Sequence, residues 1–281
     1  MWTLKLPRHS ARDTFATCIS GISDDQLRQH FQNAAEIIVN ESATYAEAAA
    51  RHALHEIIPK DIVAPNINTD KMKKLYNQWM VGKTAPGRAI YDEIRVSSPQ
   101  GRCPLCAHRQ VMTLDHVLPK MHYPVFAVTP SNLVPACSDC NKAKLASLPQ
   151  RAEEVALHPY YDDLGGEKWL FADVVGTQPA ALRFTIVPPD GWDNILADRV
   201  MNHFSTLKLG ALYASEAAEE LVNIRHQLLD IYNTGGLHEV RDELQQRAHS
   251  CDRGRLNGWR SATYHAWAEN DWFCNGGFGP T

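Results

Sequence analysis

The sequence predicts a mostly α-helical protein of the α+β class with a small strand-containing module at its centre. Apolar residues recur at three- and four-residue spacing in the first 70 residues and again between Trp192 and Asn270, as in amphipathic helices. The middle of the chain instead combines short apolar runs, turn residues and two cysteine pairs. We therefore divide the chain into a helical N-terminal region (1–87), a central module (88–165) and a mainly helical C-terminal region (166–281).

Local motifs predict the individual elements of the two flanking regions. Two Ser/Thr-x-x-Glu/Gln motifs, which cap helix N-termini, begin at Ser23 and Thr44 and predict that helices start there. A third helix is predicted around KMKKLYNQWM (71–80). In the C-terminal region LRFTIVPP (182–189) is a strand candidate. Three segments after it have helical periodicity and predict separate helices, at 192–207, 215–232 and 237–250.

The charge distribution favours contact between the centre of the chain and a polyanion. The 281 residues have a net charge of −4, yet residues 71–151 carry 12 Lys and Arg against 4 Asp and Glu. A basic centre between acidic flanks suits a protein that binds nucleic acid on one face, and chance clustering of solvated charges is the alternative. No stretch is long and apolar enough for a membrane span or a signal peptide, so we expect a cytoplasmic protein without a membrane partner.

Four of the seven cysteines form two C-x-x-C pairs with 30 residues between them. They are Cys103, Cys106, Cys137 and Cys140. Four thiolates are the tetrahedral ligand set of structural Zn²⁺, and a filled set leaves the ion no open position for catalysis. The alternative is a redox dithiol, which needs only one pair. The two pairs together predict a structural zinc site.

The residues between the cysteine pairs predict two strands and a helix that carry a second set of functional groups. VMTLDH (111–116) is a strand that ends in Asp115 and His116, and LVPAC (133–137) is a second strand that leads into a short helix. The oxygens of Asp115 and Asn141 are hard donors suited to Mg²⁺ or Mn²⁺, although Asn141 could simply cap the helix. His116 can accept a proton near neutral pH. One such ion beside a base is sufficient for phosphodiester hydrolysis.

These motifs resemble the HNH endonucleases, the ββα-metal superfamily, in its zinc-knuckle branch. The matching stretches are C-x-x-C (103–106), LDHVLPK (114–120), NLVPAC (132–137) and CNKAK (140–144). The resemblance implies a central ββα-metal module with structural zinc, flanked by helical regions.

The resemblance also implies a role for each polar residue of the module. Asp115 and Asn141 would bind the catalytic Mg²⁺ or Mn²⁺, and His116 would be the general base. Asn132 would hold the loop that orients the base, and Lys144 would neutralise phosphate. Asn141 stands where many members of the family have histidine.

By the same resemblance the expected activity is metal-dependent hydrolysis of phosphodiester bonds in DNA. The chain is similar to HNH proteins of bacterial anti-phage defence, such as the Septu-type HNH subunit that works beside an ATPase. A co-encoded ATPase is therefore an expected partner, and the amphipathic helices at both ends are compatible with an oligomer. Two alternatives remain open: a non-catalytic zinc module that binds nucleic acid or serves a larger complex, and a nuclease that is silent until a partner activates it.

The role of His158, in the segment LHPYYDDL (157–164), is left open by the sequence. A histidine before proline and beside two aromatic residues suits a packed, hydrogen-bonded core residue. An additional ligand or a group that supports the site is the alternative.

Overall fold

The computed structural model describes residues 1–144, 148–164, 166–176 and 180–279, and it confirms the mostly helical α+β class. These residues form nine α-helices and three two-stranded antiparallel sheets. The chain divides into two compact units, Met1–Asp163 and Leu164–Thr281. The boundary predicted between residues 87 and 88 lies inside the first unit, and the three-part division of the sequence stays a prediction.

Three helices follow one another in the N-terminal part of the first unit: α1 (Ala11–Ile19), α2 (Asp25–Asn33) and α3 (Ala35–Ala50). Asp24 caps α2 by accepting a hydrogen bond from the Leu27 N–H at 3.0 Å, so this helix begins just after the predicted Ser23 motif. The motif at Thr44 starts no helix. Thr44 lies inside α3, where its hydroxyl donates to the Asn40 carbonyl at 3.2 Å instead of capping a terminus.

A short ribbon and two further helices lead to the cysteines. The ribbon is formed by β1 (Ile62–Ala64) and β2 (Ile67–Asn68), and the helices are α4 (Thr69–Lys74) and α5 (Arg88–Val96). Asn68 caps α4 by accepting from the Lys71 N–H at 3.1 Å. The helix then widens into a π-helical turn, Leu75–Met80. The helix predicted around residues 71–80 is therefore present, with a wider last turn.

The central part of the unit has the order strand, strand, helix. Strand β3 (Thr113–His116) pairs antiparallel with β4 (Leu133–Ala136), with Asp115 opposite Val134 and His116 opposite Leu133. Helix α6 (Ser138–Lys144) follows β4 directly. All four residues of β4 are buried, which explains why this strand reads as a continuous apolar run.

Two apolar clusters hold the first unit together. One joins α1, α2, α4 and α5 to the hairpin, and its members include Phe31, Met72 and Leu114. The other joins α3 to the segment that follows α6, through Tyr45 and Phe126 among others. The hairpin is thus packed between the N-terminal helices and the end of the unit.

The second unit consists of a hairpin and three helices: β5 (Leu170–Val175), β6 (Ala181–Ile186), α7 (Asn194–Thr206), α8 (Leu209–Arg255) and α9 (Trp259–Glu269). The two helices predicted on either side of residue 236 are both present within α8, and the chain leaves the helical conformation between them at Gly236, where φ is +74°. Gln227 hydrogen-bonds to Glu243 and Arg247, which lie 16 and 20 residues further along, so the second helix folds back beside the first. Among the described residues no helix is both long and apolar enough to cross a membrane.

Candidate functional site

The four predicted zinc ligands converge in the first unit. The sulfur atoms of Cys103, Cys106, Cys137 and Cys140 all lie within 4.8 Å of one another, and the four side chains are buried. Tetrahedral Zn²⁺ with Zn–S bonds of 2.3 Å places its sulfurs about 3.8 Å apart, so the cluster has the dimensions of such a site. These four cysteines could hold a zinc ion.

Backbone groups around the cysteines already favour negatively charged sulfur. The Arg109 N–H donates to Cys106 Sγ at 3.4 Å, and the Cys140 N–H donates to Cys137 Sγ at 3.3 Å. Hydrogen bonding, first of all with Cys103, lowers the pKa of Cys106 and Cys137, whereas hydrogen bonding within the cluster raises the pKa of Cys103 and Cys140. Thiolates are the form that binds the metal, so binding of an ion would release the protons that the cluster still holds.

The hairpin places His116 beside a carbonyl that fixes its protonation. The Nε2 atom of His116 lies 2.9 Å from the carbonyl oxygen of Ala127. A carbonyl oxygen can only accept, so Nε2 carries the proton and Nδ1 of the neutral ring has the lone pair. Burial lowers the pKa of His116 to about 3, and the ammonium groups of Lys120 and Lys144 also oppose protonation. The ring is therefore neutral at physiological pH, and its pKa lies well below the near-neutral value that the sequence leads one to expect, because the side chain is buried.

Asn132 ties together the loop between the two strands. Its Oδ1 accepts from the Leu118 N–H at 2.7 Å, and its Nδ2 donates to the carbonyls of Leu118 at 3.1 Å and Phe126 at 3.2 Å. The side chain is fully buried. Phe126 precedes Ala127, the hydrogen-bond partner of His116, so Asn132 holds the segment that holds the histidine.

The carboxylate of Asp115 is paired with a lysine. Lys144 Nζ lies 2.9 Å from Asp115 Oδ2 and donates to the carbonyl of His116 at 2.5 Å. The side chains of Lys144 and Asp115 are 14% and 10% exposed, so the pair is largely withdrawn from water. In the part of the chain that the structure describes, no hydrogen bond joins the Asn141 amide to Asp115. Their sharing of one ion stays a prediction.

A comparison with curated proteins finds protein Ea31 of Escherichia phage lambda. It is 31% identical to this chain over 235 residues, which cover 80% of this chain and 79% of the phage protein. The chain belongs to the Ea31 family. No family model matches the chain, and no solved structure matches it. The name of the lambda protein states no activity.

Two contacts of the Ea31-family site were missed by the sequence analysis. The ring of Tyr76, from the π-helical turn, meets the ring of His116 edge to face, with centroids 4.6 Å apart. Lys120 Nζ lies 4.9 Å from the centroid of the same tyrosine ring. Tyr76 precedes His116 by 40 residues, so no local pattern joins them. The one sequence feature that pointed to this segment was weak: KMKKLYNQWM (71–80) is rich in basic and aromatic residues.

His158 is a hydrogen-bonded core residue in this Ea31-family chain. Its Nε2 lies 3.0 Å from the Tyr45 hydroxyl, and its Nδ1 accepts from the Tyr160 N–H at 3.3 Å. Its backbone N–H donates to Asp162 at 2.6 Å. Both ring nitrogens are engaged in the interior, and the residue is outside the cysteine cluster. His158 therefore packs the end of the first unit.

Proposed function

We propose that this protein is a metal-dependent HNH endonuclease that hydrolyses phosphodiester bonds in DNA, with a structural zinc site in its ββα module. The observation that carries the proposal is the hydrogen bond from His116 Nε2 to the Ala127 carbonyl. It leaves a neutral imidazole with its lone pair on Nδ1, in the residue that follows Asp115 on a hairpin that leads into the cluster of four thiols.

In the proposed reaction each residue of the site has one task. His116 Nδ1 accepts a proton from the water that attacks phosphorus, which is general-base catalysis. Asn132 keeps the Leu118 and Phe126 backbone in place, so that the Ala127 carbonyl continues to hold the ring. Lys144 supplies positive charge next to the Asp115 carboxylate.

Asp115 and Asn141 are the residues that would hold Mg²⁺ or Mn²⁺. A carboxylate and an amide oxygen match the hard ligands that these ions prefer, with water in the remaining positions. The Lys144 ammonium lies on the Asp115 carboxylate, so the ion would have to share this oxygen with Lys144 or displace it. When bound, the ion would stabilise the charge that develops on the cleaved phosphate.

The test is cleavage of plasmid DNA by the purified protein with Mg²⁺ or Mn²⁺. We expect wild-type protein to nick or linearise the plasmid and His116→Ala to lose about 10²–10⁴-fold of the rate, the usual contribution of a general base. His122→Ala is the matched control, because His122 is also in the loop that follows β3 and is half-buried, and within the described residues no hydrogen bond or ion pair joins its ring to the site. Equal rates for wild type and His116→Ala would reject the assignment.

A second candidate is a non-catalytic zinc module that binds nucleic acid. The basic centre of the chain favours it. Binding of DNA without cleavage under every metal condition would support this candidate. Cleavage that appears only with a co-encoded ATPase, the partner suggested by the anti-phage resemblance, would instead support a nuclease that needs activation.

A further inference from the structure

Helix α4 and its π-helical turn, residues 69–80, precede the predicted ββα module but pack against it. Met72, Leu75 and Tyr76 are buried in the same apolar cluster as Leu114 of β3 and Ala127. The segment is therefore fixed relative to the hairpin. Its exposed residues, which include Lys74, Asn77 and Gln78, are polar.

The ring of Tyr76 lies under a lysine as well as against the predicted base. Lys120 Nζ is 4.9 Å from the ring centroid, within the range of a cation–π contact, and the His116 ring is 4.6 Å away. A π-helical turn is a costly deviation from the α-helix and is frequent at functional sites. Here it contributes the residue that touches both groups.

The same region has a surplus of positive charge. Lys144 pairs with Asp115. Among the described residues the ion pair of Lys73 is a weak one, at 3.5 Å to the highly exposed Asp70. Within the described residues Lys120 has no carboxylate within 4.0 Å. Burial lowers the pKa of Lys120, the Asp115 carboxylate opposes this, and the Lys73 ammonium lowers the pKa further. Two ammonium groups that repel each other next to one carboxylate favour binding of an anion.

We propose that Lys73 and Lys120, with Tyr76 as the platform for Lys120, bind a backbone phosphate of the nucleic acid next to the phosphate that is cut. The inference rests on the proposed function for the position of the cut, although the binding itself does not require cleavage. Lys71 and Lys74 continue the basic surface along α4, as a polyanion requires. Contacts to phosphate fix the register of the strand and read no sequence, so binding through this subsite is independent of base sequence.

The test is binding of a short fluorescent DNA duplex, measured by anisotropy over a series of salt concentrations without added Mg²⁺ or Mn²⁺. We expect Lys73→Gln and Lys120→Gln each to weaken binding and to reduce the slope of log K against log salt by about 1, the effect of one lost phosphate contact. Lys5→Gln is the control, since Lys5 is an exposed lysine of the same unit outside this surface. Affinities and slopes equal to those of Lys5→Gln would overturn the proposal.

Variants of Tyr76 test the platform separately. Tyr76→Phe keeps the ring and should bind DNA like the wild type, whereas Tyr76→Leu should weaken binding as much as Lys120→Gln does. The thermal midpoint of each variant is measured as well, so that a loss of DNA affinity can be distinguished from a loss of stability. Weakening by Tyr76→Phe and Tyr76→Leu to the same degree would show that the ring is not the platform.

Cleavage kinetics then separate this inference from the proposed activity. If the wild type cuts DNA, Lys120→Gln should raise KM with little change in kcat. A second outcome is that the wild type does not cut DNA, while the two lysine variants bind DNA more weakly and with a smaller slope of log K against log salt. That result would contradict the nuclease proposal and support the phosphate subsite. If the wild type cuts DNA and the lysine variants match Lys5→Gln in affinity and KM, the subsite is wrong and the nuclease stands.

Discussion

The pair of Lys144 and Asp115 is the residue-level feature that most affects how the site can bind a metal ion. Both side chains are largely buried, and the lysine also reaches the carbonyl of His116. A charge withdrawn from water needs a partner of opposite sign. The carboxylate is thus always paired, either with this ammonium group or with a cation that replaces it.

Removal of the ammonium group should make the protein depend on an added cation. We predict that Lys144→Met lowers the free energy of unfolding by about 2–3 kcal/mol, because the Asp115 carboxylate is left buried and unpaired. Mg²⁺ or Mn²⁺ should restore part of that loss in the variant and have a smaller effect on the wild type. Thermal melts with and without the ion provide the measurement. A variant that melts at the same temperature in both conditions would argue against an ion at Asp115.

Asn132 is the second residue whose loss should be costly. We predict that Asn132→Ala destabilises the protein by about 3 kcal/mol or more, because a buried N–H and two buried carbonyls lose their partner. Urea unfolding followed by circular dichroism measures the change. Asn77→Ala, at an exposed position, is the control and should be within about 0.5 kcal/mol of wild type.

At the scale of elements, the central hairpin and the helix after it could be predicted from sequence, and their surroundings could not. β3 ends at His116 and β4 leads into Cys137 as expected, since short apolar runs bounded by turn residues mark buried strands. The capping motif at Thr44 was misleading because α3 had already begun nine residues earlier. Tyr76 was missed because its contact with His116 joins residues distant in the chain, which only tertiary packing determines.

The same reasoning explains what was found and missed in the metal sites. The cysteine spacing was sufficient to predict the four-sulfur cluster, because two C-x-x-C pairs are a specific pattern for one metal site. The pairing of Lys144 with Asp115 could not be predicted, because it depends on how the last turn of α6 lies against β3. In the second unit the helix end at Gly236 could be predicted, because the apolar periodicity is interrupted there and glycine adopts the positive φ of the break.

The folding of the loops that carry the two cysteine pairs should depend on a bound ion. We predict that Cys140→Ser reduces the zinc content from one ion per chain to a small fraction and lowers the thermal midpoint, because a structural ion contributes directly to folding. Metal analysis by mass spectrometry and a thermal melt measure the two effects. Cys251→Ser, in the second unit, is the control and should retain the full zinc content. A Cys140→Ser protein with one zinc per chain would contradict the four-thiolate assignment.

At the scale of the whole molecule, the first unit contains every residue of the candidate site, and the two units differ in charge. Residues 1–163 carry 18 Lys and Arg against 17 Asp and Glu, whereas residues 164–281 carry 10 against 15. The second unit therefore repels a polyanion more than it attracts one. Nucleic-acid binding is accordingly expected from the first unit.

A fragment of residues 1–163 should fold and bind zinc by itself. The last residues of the unit close its core: the Tyr160 hydroxyl donates to the Leu133 carbonyl at 2.8 Å, and His158 meets the Tyr45 hydroxyl. We predict one zinc per fragment, a cooperative melt and DNA binding at least as tight as that of the full chain. Size-exclusion chromatography, metal analysis and anisotropy measure these properties.

A shorter fragment, residues 1–150, is the matched control for that experiment. It contains all four cysteines but lacks Val155, Leu157 and Tyr160, which are buried. It should aggregate or melt without cooperativity. Equal behaviour of the two fragments would mean that residues 151–163 are not needed to close the unit.

The start of the chain is held between the cysteine loop and the end of the first unit, which has a consequence for how the protein is made. The Trp2 N–H donates to the Pro104 carbonyl at 2.8 Å, and the Leu4 N–H donates to the Pro159 carbonyl at 2.7 Å. During translation all four sulfurs emerge from the ribosome before Pro159 does, so they meet the surrounding solution before residues 2 and 4 have both of these partners. Which soft metal ion a thiolate site takes up depends on ligand type, geometry and availability. The supply of such ions during those seconds of synthesis therefore contributes to which one the finished protein encloses.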